Sequence, residues 1–158
     1  MNSFANRALF FLFVCLPLGF GLKAQTPLER QFQLCRELYN KGEYYDAITE
    51  LKRLLFFDEK KEYAFRGNYL IGYSYKKGAK LDEAVKFFSL AQLSSPDDSV
   101  LFEVKTEIVR CNILRRTADN ALLLLRQMEK EARFSNREKE IGYWKGWAYI
   151  FEDEWGKA

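Results

Sequence analysis

Twenty-two acidic side chains and three cysteines are among the groups in this 158-residue chain that could act as acids, bases or nucleophiles, and histidine is absent. That absence removes serine and cysteine nucleophiles activated by imidazole, zinc sites with imidazole ligands and imidazole general bases. Paired carboxylates can hydrolyse glycosides without histidine. Here, however, Glu59, Glu62, Glu129, Glu131 and Glu138 fall near helix ends or in mixed-charge runs, the pattern of a solvated surface. No glycine-rich phosphate loop, nucleophile elbow or cluster of metal ligands occurs in the sequence. The expectation is a protein with no catalytic residues, metal, cofactor or small-molecule substrate. The formal charge is +3, and Arg7 and Lys23 lie in an N-terminal stretch without an acid, so the remainder is close to neutral and gives no support to nucleic-acid binding.

Residues 1–24 read as an address. A short basic start to Arg7 precedes the uncharged run Ala8 to Leu22, whose fifteen residues fall short of the roughly twenty a membrane span needs. Leu22, Lys23 and Ala24 then supply a cleavage region, so the order is that of a secretory signal peptide cut after Ala24. An uncleaved anchor is the alternative. Cys15 sits mid-run, where a lipid-attachment cysteine would not. The protein is expected to be exported, to the periplasm or cell envelope or outside the cell, with no transmembrane segment after cleavage. Cys35 and Cys111 remain, both within apolar helical patterns, and read as buried free thiols.

Residues 25–158 repeat. Ala47, Ala84 and Ala121 lie 37 residues apart, each followed by apolar residues four and seven on, and a further step reaches Ala158. Stepping back thirteen from each gives Leu34, Ile71, Ile108 and Lys145, and these spacings place the set on one helical face. Each unit therefore reads as two helices and a tight turn. The spacing predicts helices over Thr26 to Asn40 and Tyr44 to Phe57, then Lys60 to Lys77 and Leu81 to Gln92, then Val100 to Arg115 and Ala118 to Ala132. Gly42 is the expected left-handed stop and Gly78 separates the helices of the second unit; Thr26 with Glu29 is a capping box, and Ser135 with Glu138 a second one opening a helix to about Glu152. The units span about 25–60, 61–97, 98–134 and an incomplete 135–158.

Ile71-Gly72, Tyr75, Ala84, Phe88, Ala91 and Pro96 in the second unit resemble the tetratricopeptide repeat; Gly146, Tyr149, Trp155 and Ala158 carry the likeness in the fourth. The likeness extends over essentially all of residues 25–158, with a period of 37 in place of the usual 34. It implies an all-α, right-handed α-solenoid of antiparallel helix pairs, about three and a half repeats long, with Gly72, Gly142, Gly146, Ala84 and Ala91 at close crossings. In such arrays the first helix of each pair lines a concave groove. By position, this resemblance puts Phe32, Arg36, Tyr39, Arg66, Tyr69, Tyr73, Lys76, Arg110, Tyr143 and Trp147 on the groove, with Thr106, Ile113 and Ile150 beside them.

Aromatic and arginine side chains dominate interface hot spots, so the expected partner is a protein or peptide with apolar and acidic groups. About half of the aromatics, Tyr69 and Tyr73 above all, could instead be packing residues. The function expected is an exported scaffold. The alternatives are an assembly subunit of a cell-envelope complex docking by its edges, and the repeat part of a longer protein whose activity lies beyond Ala158. The fourth unit lacks its second helix, so either the array continues past Ala158 or another molecule, a second copy included, covers the open end.

Overall fold

The computed structural model describes residues 26–155, with side chains through Glu152; the leader and the fourth alanine anchor lie outside the described residues. Seven helices follow one another: α1 Pro27–Lys41, α2 Tyr44–Phe57, α3 Ala64–Lys77, α4 Leu81–Gln92, α5 Asp98–Leu114, α6 Ala118–Lys130 and, after a 3-10 segment Ala132–Arg137, α7 Glu138–Trp155. The protein is all-α, with no strand among the described residues. Each helix packs on the next in sequence, and α1 also meets α3 as α5 meets α7. No helix among the described residues is long and apolar enough to cross a membrane.

Helix ends follow local chemistry. Thr26 Oγ1 accepts from the Glu29 N–H at 3.1 Å and starts α1. Glu29 does not complete the capping box, because its carboxylate is taken by Gln33 and Tyr63. The helix expected from Lys60 starts later, at Ala64. The reason is Asp58, a buried carboxylate accepting from the backbone N–H groups of Glu62 at 3.0 Å and Tyr63 at 2.6 Å, which holds the chain in a turn with Lys61 left-handed. Asp97 caps α5 by accepting from Val100 N–H at 2.8 Å. Ser135 lies inside the 3-10 segment and not at a helix cap, since Phe134 is buried against Phe102 and pins the turn.

The turn within each pair recurs at the sequence period. Gly42, Ala79 and Arg116 are left-handed, with φ of 84°, 57° and 62°. The following N–H closes the same ring each time: Glu43 onto Leu38 O at 3.0 Å, Lys80 onto Tyr75 O at 2.9 Å, and Thr117 onto Asn112 O at 2.9 Å. Gly78 is therefore not the left-handed stop; its φ is −80° and Ala79 bears that conformation. At the fourth step the chain is still helical, because α7 continues through Trp155. Left-handed geometry costs a residue with a Cβ about 1–2 kcal/mol. Accordingly, Ala79→Gly is expected to stabilise the protein by about 0.5–1 kcal/mol and Gly42→Ala to destabilise it similarly, read from urea midpoints.

Three buried clusters follow one another along the chain. Phe32, Cys35, Ile48, Leu51 and Leu54 pack with Tyr63 and Ile71 from the second unit. Ala84, Phe88 and Ala91 pack with Val104, Ile108 and Cys111 from the third. Phe102, Val109, Ile113, Ala121, Leu122, Leu125 and Met128 pack with Phe134, Ile141 and Ala148. Cys35 and Cys111 are buried free thiols, each pushed up to about 11 by burial. Leu34 departs from its repeat equivalents: it is 46% exposed while Ile71 and Ile108 are buried.

The glycines divide. A Cβ on Gly72 would lie 2.7 Å from the Phe88 ring, so the close approach expected there exists. Gly142 and Gly146 face open space, contrary to the close packing their spacing suggested, because α6 packs on the Ile141 and Ala148 side of α7. Gly72→Ala is thus expected to cost about 1–3 kcal/mol through overpacking. Gly146→Ala should stabilise by about 0.5–1 kcal/mol, since only helix propensity changes. Equal effects in a denaturant titration would contradict this packing.

Candidate partner-binding site

The first helices α3, α5 and α7 bring a set of polar and aromatic side chains together. A cleft of about 290 Å³ is lined by Tyr69 and Tyr73 of α3, Phe102, Glu103, Thr106, Glu107 and Arg110 of α5, Arg137 at the end of the 3-10 segment, and Glu140 and Trp144 of α7. At its floor Glu107, whose side chain is 7% exposed, pairs with Lys76 and accepts from Arg110 Nη1 at 2.7 Å. Two cations thus pair with one buried carboxylate, which would cost several kcal/mol if left without a partner. Arg137 forks onto Glu140 and lies 4.3 Å from the Phe102 ring centroid. Thr106 Oγ1 is buried and meets no hydrogen-bond partner.

The tyrosines serve two purposes. Tyr69 and Tyr73 are half-buried, share a hydroxyl contact of 3.1 Å and pack on Phe88 with centroid distances of 5.9 and 5.2 Å. Burial first, and the nearby Glu107 charge with it, raises both phenols above their ordinary value. They remain neutral hydrogen-bonding groups on the cleft wall.

A second cleft, of about 260 Å³, opens between α5 and α7, lined by Arg110, Ile113, Leu114, Tyr143, Trp144, Trp147 and Phe151. Arg110 belongs to both clefts, its guanidinium 5.4 Å from the Trp144 ring centroid. Tyr69, Tyr73, Arg110, Tyr143 and Trp147 are therefore brought to one continuous face, with Lys76 held beneath it on Glu107.

The N-terminal members of the expected groove are placed differently. Phe32 is buried at 5% exposure beneath the Arg66 guanidinium, 4.1 Å from its ring centroid, and packs on Tyr63. Arg66 is engaged by Glu29 at 3.4 Å, so it clamps α1 to α3. Tyr39 is half-buried against Tyr44, and Arg36 is exposed, donating to Gln33; neither lines the two clefts. Ile113 is buried apart from its cleft edge. Glu107 and Trp144 were missed by the sequence reading, although both stand one 37-residue step apart on first helices.

No group of metal-ligating side chains occurs among the described residues. Compared with known proteins, the chain matches no family model, no curated sequence and no solved structure.

At the N-terminal clamp, Tyr63 Oη donates to Glu29 Oε2 at 2.8 Å and Gln33 to Oε1 at 2.6 Å. The Tyr63 bond first, then the Gln33 bond, holds the Glu29 carboxyl below its ordinary 4.5. A depressed carboxylate contributes stability that is present above 4.5 and lost as pH falls through the folded-state value. Tyr63→Phe should raise the Glu29 titration midpoint in a carboxyl NMR titration and flatten the stability curve below pH 4.5. An unchanged midpoint would remove Tyr63 as the cause.

Proposed function

We propose that this protein is an exported, tetratricopeptide-like helical scaffold, a right-handed solenoid of helix pairs without catalysis of its own. It binds a partner protein or peptide along the face formed by the first helices, in the periplasm or cell envelope. The observation that supports this most is the convergence of Tyr69 and Tyr73 from α3, Arg110 from α5 and Trp144 from α7 on one cleft, although they come from three separate units. Aromatic anchors around a partly exposed arginine form the kind of surface on which binding energy concentrates. The recurrence of the left-handed turn at Gly42, Ala79 and Arg116 supports the repeat reading.

A second reading, docking by the edge as an assembly subunit or as part of a longer array, draws on α7, where Gly142 and Gly146 meet nothing and Tyr149 is 49% exposed. Site-specific photo-crosslinking in the organism of origin separates the two. A benzophenone side chain at Glu103 or Tyr143 is expected to capture a partner, and one at Lys86 or Leu123, exposed on α4 and α6, to capture none. Capture from Tyr149 alone would favour edge docking.

A further inference from the structure

The cleft between α5 and α7 has a composition that narrows the partner. Its walls are Ile113, Leu114, Tyr143, Trp144, Trp147 and Phe151, and among its lining residues Arg110 is the one charged side chain. No acid lines it. Arg110 is 45% exposed and stands where the apolar cleft meets the polar one. Its carboxylate partner, Glu107, is shared with Lys76, so this triad carries one surplus positive charge. The other acids of the polar cleft are engaged or distant: Glu140 is held by Arg137, and Glu103 lies two helical turns before Arg110 on α5.

We propose that this cleft takes an apolar side chain from a partner peptide whose neighbouring group is a carboxylate, with Arg110 as the carboxylate's ligand. The proposal rests on the groove-binding reading and deepens it. At about 260 Å³ the cleft is smaller than the roughly 300–1,000 Å³ of small-molecule sites, and it has room for one or two side chains. Tyr143 and Trp147, 58% and 39% exposed, supply rigid apolar area that loses little conformational entropy on contact. Arg110 can donate to the new carboxylate while still donating to Glu107, because a guanidinium has five N–H donors. Charge complementarity thus favours an acidic, apolar segment over a second copy, whose exposed surface at the facing α7 would bring the same aromatics and the same cation.

The test is a selection from a random peptide array, with free and amidated C-termini, on the purified full-length protein. Binding of the selected peptides is then followed by the fluorescence of Trp144 and Trp147. Enriched peptides should carry a Leu, Ile, Phe or Met next to Asp, Glu or a free C-terminus. Arg110→Gln should weaken them roughly ten-fold or more, the loss of one charge-assisted hydrogen bond. Trp147→Glu should abolish binding. Glu107 keeps Lys76 in the Arg110→Gln protein, and an unchanged melting temperature will show that it folds. A Tyr143→Ala variant with unchanged melting supplies a second, charge-independent loss. Peptides lacking the carboxylate, or indifferent to Arg110→Gln, overturn the proposal. If those same peptides still block crosslinking at Glu103, the groove reading survives and the cleft alone is rejected. No enrichment at all rejects both, and concentration-dependent dimerisation abolished by Trp147→Glu assigns the cleft to a second copy.

Discussion

No helix pair in this protein closes its own core. Each pair leaves an apolar face that is completed by the first helix of the next, and the contact depends on small residues where helices cross. Between pairs the sharpest case is Gly67 of α3, where a Cβ would lie 2.7 Å from Leu55 of α2; within a pair it is Gly72 against Phe88, and Ala47, Ala84, Ala91, Ala121 and Ala148 are fully buried. Helices separated by larger side chains would stand further apart and forfeit dispersion contacts that are each small but many in sum. Everything else follows from this nearest-neighbour dependence: three successive clusters in place of one centre, and a last described helix, α7, whose Gly142 and Gly146 meet nothing among the described residues.

Electrostatics then fixes how neighbours register. Arg66 reaches back to Glu29, Lys76 forward to Glu107 and Lys145 back to Glu129, so the links between helices of successive pairs carry ion pairs as well as apolar contact, while Lys105 meets Glu131 within the third pair. The exposed ones contribute little, on the order of 0–1 kcal/mol. Glu107 differs because it is buried: its charge is costly to leave alone, and a slip of α5 against α3 would strand it. A single buried carboxylate therefore discriminates against wrong stacking while its second cation, Arg110, remains half-exposed.

The 37-residue period made much of this legible. The bounds of α2 and α4 are those the apolar spacing predicts, because each follows a tight turn and carries an uninterrupted stripe. The late start of α3 was hidden, since it depends on Asp58 turning back onto two backbone N–H groups, a contact that periodicity does not encode. Gly78 is a related case: the period, and not the glycine, marks the left-handed position, and Ala79 occupies it. In the site, Tyr73, Arg110, Tyr143 and Trp147 came to the clefts as their register implies, whereas Arg66 was consumed by Glu29. That too was readable in principle. Glu29 and Arg66 stand one period apart, and opposite charges one period apart on adjacent first helices will meet.

The same arithmetic explains why exposure grows along the groove row. Phe32, Tyr69, Thr106 and Tyr143 occupy equivalent positions, yet Phe32 is buried, Tyr69 and Thr106 are half-buried and Tyr143 is exposed. At the N-terminal end Tyr63 and Arg66 close over the row; at the C-terminal end nothing described lies over α7. Side chains already packed within the chain have little surface left to desolvate on binding, and Arg66, held by Glu29, has less charge to offer than Arg110, whose partner Glu107 is shared with Lys76. On the binding reading, Arg66 and Phe32 thus serve stability, and Arg110, Tyr143 and Trp147 serve recognition. The two tasks are then separated along one array, because Phe32, Tyr63, Arg66 and Glu29 close on one another between the first two pairs, whereas Tyr143 and Trp147 of α7 stay exposed among the described residues.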